Sequence, residues 1–206
     1  MARILAFTDT HGDPGAAEAV LALARRERPD LVACAGDLTW FGSRHEASLE
    51  KLRGLGRDVY FVAGNHEWDR PPEAMFAGYP FLKDATHRTF EEAGVRIGGL
   101  PATPAYWPGG RADREAVRKA LELWGGPGAS KPLVLLSHFP PSKTAVSGIT
   151  LITPDSGGSV LVRAIVEGVR PALVVCGHYH QDSGKSGILG GTRLENPGPE
   201  GKVLEI

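Results

Sequence analysis

Side-chain amides are nearly missing from this sequence of 206 residues: the only asparagines are Asn65 and Asn196, and the only glutamine is Gln181. Cysteine is as scarce. Cys34 and Cys176 each sit inside an apolar, strand-like run, where a reduced core residue is expected rather than a disulfide or a metal role. Neither sign of charge dominates, with 23 Lys and Arg against 24 Asp and Glu for a net charge of −1. Without a basic stripe, extended nucleic acid is not an expected partner. No apolar run approaches the roughly 18 residues of a membrane span, so no membrane partner is expected. Met1 leads almost directly into ARILAF, with no room for a charged n-region and an apolar h-region, so a cytoplasmic location is expected. Repeats, low-complexity tracts and linkers are also missing, and 42% hydrophobic content suffices for one domain spanning 1–206.

What is present alternates strand and helix. ARILAFTD reads as a strand, followed by a helix that Asp13 caps and Pro14 starts. LVACAGD, a helix over HEASLEKLRGL and the strand VYFVAGN continue the rhythm. Around THRTFEEAGVRIGGLPA the period shortens to two with a Gly turn, which predicts a hairpin. DREAVRKALELW predicts a helix whose Val117, Ala120, Leu121 and Trp124 share one face. KPLVLLSH, the helix SVLVRAIVEG and PALVVCGH restore the alternation, and Gly-rich hairpin strands end the chain. This pattern predicts a layered α/β fold. Residues 101–132, rich in Pro and Gly around their helix, read as an insertion close to the active site.

Five of the predicted strands end in polar residues of a restricted kind. They deliver Asp9 and His11, then Asp37, then Asn65 with His66, then His138, then His178 and His180. A cap or a turn explains each one singly. Their recurrence at the C-terminal edge, where open α/β sheets bind ligands, is not explained that way. Gly36, Gly64 and Gly177 are expected to turn the chain so that the next side chain points inward. Seven candidate ligands, Asp9, His11, Asp37, Asn65, His138, His178 and His180, exceed what one octahedral ion that also holds water and substrate can accept. They suit two ions about 3.5 Å apart, with Asp37 as the bridge because its carboxylate has two oxygens and a charge that offsets cation repulsion. A neutral amide oxygen at Asn65 can ligate without adding negative charge, which explains why an asparagine is kept there.

DxH, GD, GNHE, a lone His and GHxH, in that order from Asp9 to His180, resemble the motifs of the calcineurin-like metallophosphoesterases. The resemblance implies a four-layer α-β-β-α sandwich of the metallo-dependent phosphatase type. It implies a dinuclear centre of divalent or trivalent ions (Mn, Fe, Zn or Ni) with a metal-bridging hydroxide as nucleophile. By the same resemblance Asp9, His11, Asp37 and His180 would hold one ion and Asp37, Asn65, His138 and His178 the other. His66 would be catalytic, assisting the leaving group. Asn196-Pro197-Gly198 resembles a structural turn of small members. GDLTWFG lacks the Asp and Arg that extend this motif in the Ser/Thr phosphatase branch, and with AGNHE it is closer to the small branch that includes some cyclic-nucleotide phosphodiesterases. The expected substrate is a small phosphodiester, a nucleotide among the candidates. A phosphomonoesterase with the same centre and a non-catalytic scaffold are the alternatives. Trp40, Trp68, Tyr106 and Trp107 are expected either to rim the site for a nucleobase or to pack under loops. The sequence leaves the oligomeric state open.

Overall fold

The computed structural model describes residues 1–43, 45–67, 71–108, 111–125, 130–148 and 157–206. In chain order the described elements are β1 (Arg3–Phe7), α1 (Pro14–Glu27), β2 (Leu31–Cys34), α2 (Glu46–Arg53), β3 (Val59–Phe61), α3 (Pro72–Met75) and β4 (Leu82–Asp84). There follow β5 (Thr89–Glu92), β6 (Val95–Leu100), α4 (Arg114–Trp124), β7 (Leu133–Ser137), α5 (Val160–Val169), β8 (Leu173–Val175), β9 (Ser186–Leu189), β10 (Thr192–Glu195) and β11 (Lys202–Glu205).

The strands form two mixed sheets, ordered β11-β1-β2-β3-β4 and β5-β6-β7-β8-β10-β9. Burial on both faces of the central strands follows from period two. Ile4 and Ala6 of β1, Leu31 and Ala33 of β2, Val134 and Leu136 of β7, and Leu173 and Val175 of β8 meet between the sheets. Their neighbours Leu5, Phe7, Val32 and Cys34 face α1 and α2 through Ala17, Val20, Leu49 and Leu52. Leu133, Leu135, Val174 and Cys176 face α4 and α5 through Trp124, Leu161 and Ile165. Three apolar layers therefore separate four structural layers, the α-β-β-α sandwich. Both cysteines are free, fully buried and pushed well above the usual thiol range by that burial, which keeps them inert.

Helix starts follow local chemistry. Asp13 accepts from Gly15 N at 2.8 Å ahead of Pro14, and Ser159 accepts from Val162 N at 3.2 Å to start α5. Three expectations need adjusting. Leu121 is 39% exposed, and on that side of α4 the half-buried Ala116 and Val117 join Ala120 and Trp124. The hairpin β5–β6 forms, yet β6 also runs parallel to β7, so it bridges a local and a non-local pairing. The chain does not end within one hairpin: β9 pairs with β10, while β11 returns to the other sheet antiparallel to β1. Among the described residues no helix is long and apolar enough to cross a membrane.

Candidate metal centre

The C-terminal ends of β1, β2 and β3 in one sheet and of β7 and β8 in the other converge, and all seven candidate ligands lie on the turns that follow. Ligand atoms of Asp9, His11 and His180 fall within 4.8 Å of one another, as do those of Asp9, Asp37 and His138, and those of His11, Asp37 and His66. Asp37 Oδ2 is the centre of the set, 3.5 Å from His138 Nε2, 3.8 Å from His11 Nε2 and 3.9 Å from His66 Nε2. Asp37 Oδ1 accepts the His66 backbone N–H at 2.9 Å, and each oxygen of the carboxylate carries two lone pairs, so both retain capacity to ligate.

The backbone is bent hard to achieve this. Asp9, His11, Asp37 and His178 all have positive φ, between 49° and 70°, a region unfavourable for residues with a Cβ and held only where surrounding contacts dictate it. Here those contacts include Asp9 N to Gly36 O at 3.0 Å, His11 N to Asp37 O at 2.8 Å, and the Asp9 carboxylate accepting from His178 N at 3.1 Å. Of the three glycines expected to turn the chain, only Gly36 does so by its own φ, 102°. Gly64 and Gly177 serve close approach instead. A Cβ on Gly64 would lie 2.0 Å from Asp37 Oδ1, and one on Gly177 would lie 2.5 Å from Asp9 Oδ2.

The donor set suits a cation. His138 Nδ1–H donates to the Ala35 carbonyl at 3.0 Å, a group that can only accept, so Nε2 is the nitrogen turned to the site. That Nε2 lies 2.8 Å from Asn65 Oδ1, and His178 Nδ1 approaches the same oxygen at 2.9 Å. His11 Nε2 and His180 Nε2 stand 3.1 Å apart. Ring nitrogens and an amide oxygen gathered this closely, beside two buried carboxylates that pair only with imidazoles among the described residues, make a donor set that suits a positive ion of nitrogen- and oxygen-loving type. Burial lowers His178 and His66 to about 4 and also lowers His11, which keeps these rings neutral near pH 7. Burial, and then the charge of Asp9, pushes Asp37 well above the usual carboxylate range.

The family model described as calcineurin-like phosphoesterase matches residues 2–182. The chain belongs to this family. It is therefore a metallophosphoesterase, a hydrolase of phosphate esters. Its fold is similar to that of TT1561 of Thermus thermophilus, at 20% identity and a TM-score of 0.68 over 96% of this chain and 89% of that one. A dimetal phosphatase from Danio rerio aligns at 13% identity and a TM-score of 0.59, covering 94% and 86%. The phosphopantetheinyl hydrolase of Mycobacterium tuberculosis aligns at 20% identity and a TM-score of 0.55, covering 95% and 88%. No curated protein matches the chain.

Two residues of this metallophosphoesterase escape a reading of its sequence. Glu67, 1% exposed, accepts from Asp37 N at 2.9 Å, Thr39 N at 2.7 Å, Thr39 Oγ1 at 2.8 Å and Gly64 N at 2.9 Å. It ties the loop after β2 to the loop after β3, and burial, with Asp37 nearby, raises its carboxyl to about 7. The GNHE motif displays Glu67, but its partners lie up to 30 positions earlier. Phe41 stacks on His66, with centroids 3.9 Å apart and an interplanar angle of 24°; its only trace in the sequence is its place beside Trp40. Of the four expected aromatic residues, Trp40 lies edge-on to His11 and tilted toward His66, at 5.5 and 5.1 Å. Tyr106 is packed in the apolar layer under α4 and α5, which removes it from any rim. Trp107 is 42% exposed, and Trp68 lies outside the described residues. Asn196 is buried and structural, donating to Tyr179 O at 3.1 Å and accepting from Gly198 N at 3.2 Å.

Proposed function

We propose that this metallophosphoesterase, one domain over 1–206, hydrolyses small phosphodiesters. Asp9, His11, Asp37 and His180 would hold one ion and Asp37, Asn65, His138 and His178 the other, with Asp37 shared. Bound there, the ions would supply hydroxide near neutral pH and offset charge on the phosphoryl group. The protein's own part is to keep the His11 and His178 rings neutral, to keep added negative charge away through the Asn65 amide, and to place His66 at the leaving-group side. His66 Nε2 lies close enough to Asp37 and His11 to ligate. We assign it to the leaving group, on the strength of the family motif and its separate aromatic seat.

The observation that carries a diester over a monoester is in the loop after β2. Its run GDLTWFG lacks the further Asp and the phosphate-clamping Arg that extend this motif in the Ser/Thr phosphatase branch. A monoester dianion benefits from such a fixed cation, while a diester monoanion needs it less. Diester chemistry has a precedent on this architecture: one structural relative is described as a novel archaeal phosphodiesterase (TM-score 0.50, 14% identity). The test is a panel of alkyl, nitrophenyl and cyclic-nucleotide diesters beside the matching monoesters, with purified protein loaded in turn with Mn, Fe, Zn, Ni or Mg. We expect kcat/KM on the best diester to exceed that on the best monoester by at least about tenfold. The reverse order would make the protein a phosphomonoesterase, and inactivity throughout would favour the scaffold reading.

A further inference from the structure

An imidazole that transfers a proton is normally aimed by a hydrogen bond to its other nitrogen. Among the described residues His66 Nδ1 is buried and has no hydrogen-bond partner. Something else must hold the ring, and the neighbours in contact with it are rings. Phe41 covers one face at 3.9 Å, while Trp40 and His11 approach at 5.1 and 4.5 Å. The His66 side chain is only 11% exposed as a result, while Phe41 itself stays 60% exposed. A phenyl ring placed for core packing would be buried; this one buries its neighbour instead.

The turn that carries Phe41 is built against local preference. Phe41 has φ 49° and Gly42 has φ 69°, within a four-residue turn closed in both directions by Trp40 N to Ser43 O at 3.0 Å and Ser43 N to Trp40 O at 3.1 Å. A bulky residue in the left-handed region is an outlier, and nothing local to the turn calls for one in place of glycine. The turn is anchored by Gly42 N donating to Thr39 Oγ1 at 2.9 Å, and Thr39 in turn donates to Glu67, the side chain that also fixes the backbone of Asp37 and Gly64. The strained turn and the metal loops thus form one assembly, and its outermost group is the phenyl ring on His66.

We propose that Phe41 is a positioning residue, whose ring face sets the orientation of His66 toward the leaving group in place of a hydrogen-bonded partner. This rests on the role assigned to His66 above, so the test reads the ring and the reaction separately. In proton NMR spectra of the folded protein, the His66 ring C–H resonances should lie upfield under the face of Phe41 and stay there in Phe41→Tyr, which preserves the face. Loss of the phenyl ring removes its ring current whether or not His66 turns, so in Phe41→Leu and Phe41→Gly the orientation is read from nuclear Overhauser contacts of the His66 ring with Trp40 and His11, which lie at 5.1 and 4.5 Å and should change. In kinetics, Phe41→Leu and Phe41→Gly should lower kcat on alkyl-leaving diesters roughly 10- to 100-fold, the scale of a misplaced reacting group. KM should change less than about threefold, and the loss on p-nitrophenyl diesters should be clearly smaller. Phe41→Tyr should restore the alkyl rate. Phe41→Gly should hold or raise the melting temperature, since glycine adopts this φ freely. Unchanged Overhauser contacts from the His66 ring to Trp40 and His11 in Phe41→Leu would overturn the proposal. So would a rise in KM with kcat intact, which would make Phe41 a substrate contact, or an equal loss on all substrates with a fall in melting temperature. If the wild-type protein hydrolyses nothing in the panel, the proposed function fails, and the Overhauser contacts of the His66 ring still decide whether Phe41 holds it.

Discussion

Asn65 and His66 are adjacent in the chain and face different tasks. The Asn65 amide oxygen receives the ring nitrogens of His138 and His178 at 2.8 and 2.9 Å, while His66 turns to the aromatic side and gives its backbone N–H to Asp37 Oδ1. A ring at His66 that is neutral near pH 7, lowered to about 4 by burial and then by His11, still has one N–H with which to stabilise a departing alkoxide. Its benefit should scale with the need of the leaving group. His66→Ala is expected to lower the rate on alkyl-leaving diesters by roughly 10²–10⁴ and the rate on p-nitrophenyl diesters clearly less, with metal content unchanged by elemental analysis. A drop in metal content would make His66 a ligand. Equal losses on both substrates would assign it to phosphoryl charge or substrate positioning.

Loops, more than strands, carry the chemistry, and Glu67 and Gly64 show how two of them are locked. Both Glu67 oxygens accept from N–H groups, so an amide there would turn its NH2 against a backbone donor. Glu67→Gln should therefore loosen the loops after β2 and β3 together, costing about 1–3 kcal/mol of stability and weakening metal retention, as read by thermal melts and titration with a chelator. An unchanged melt and unchanged retention would show that these hydrogen bonds do not matter. Gly64→Ala tests the same junction sterically. Its Cβ would sit 2.0 Å from Asp37 Oδ1 and 2.4 Å from Asp37 N, neither of which is a flexible chain end, so Asp37 must move. Metal content should fall while circular dichroism remains that of the folded chain. Full occupancy in Gly64→Ala would mean the loop relaxes at no cost to the site.

Across the molecule, the ionisable groups that the two sheets bring together do not share one response to pH. His66 and His178 fall from 6.5 to about 4 in the folded chain. Between those values the unfolded chain binds more protons, so their contribution to stability is present above 6.5 and lost as pH falls toward 4. Glu67 rises from 4.5 to about 7 and Asp37 also moves upward, which favours the folded chain on the acid side of the same window. The two sets of shifts oppose one another. For metal-free protein, melting temperature should accordingly change less between about pH 7 and 4.5 than the imidazoles alone or the carboxyls alone would make it. Loaded protein should behave otherwise, because protons compete with ions for Asp37 and the imidazoles. Chelation at neutral pH should remove about 2.7 kcal/mol of stability where free metal had stood about a hundredfold above its Kd, and this difference should shrink steadily on acidification. A loaded protein whose melt is as flat as that of the chelated one would count against ion binding at these residues.

Much of this was legible before any coordinates. Period-two runs and helix signals located β1, β2, β3, β7 and β8 and the helices α1, α2, α4 and α5, because apolar periodicity and capping are local properties. The restricted choice of Asp, Asn and His at five strand ends identified the candidate ligands for the same reason: each was read from the residues beside it. Non-local pairing decided the rest. Only the folded chain brings β11 back beside β1, buries Tyr106 under α4 and α5, and seats Glu67 between loops up to 30 positions apart. Only it reveals that Gly64 and Gly177 make room for carboxylates of other strands, and that Phe41 lies on His66. Such contacts depend on which surfaces the two sheets bring together, and no window along the chain contains both partners.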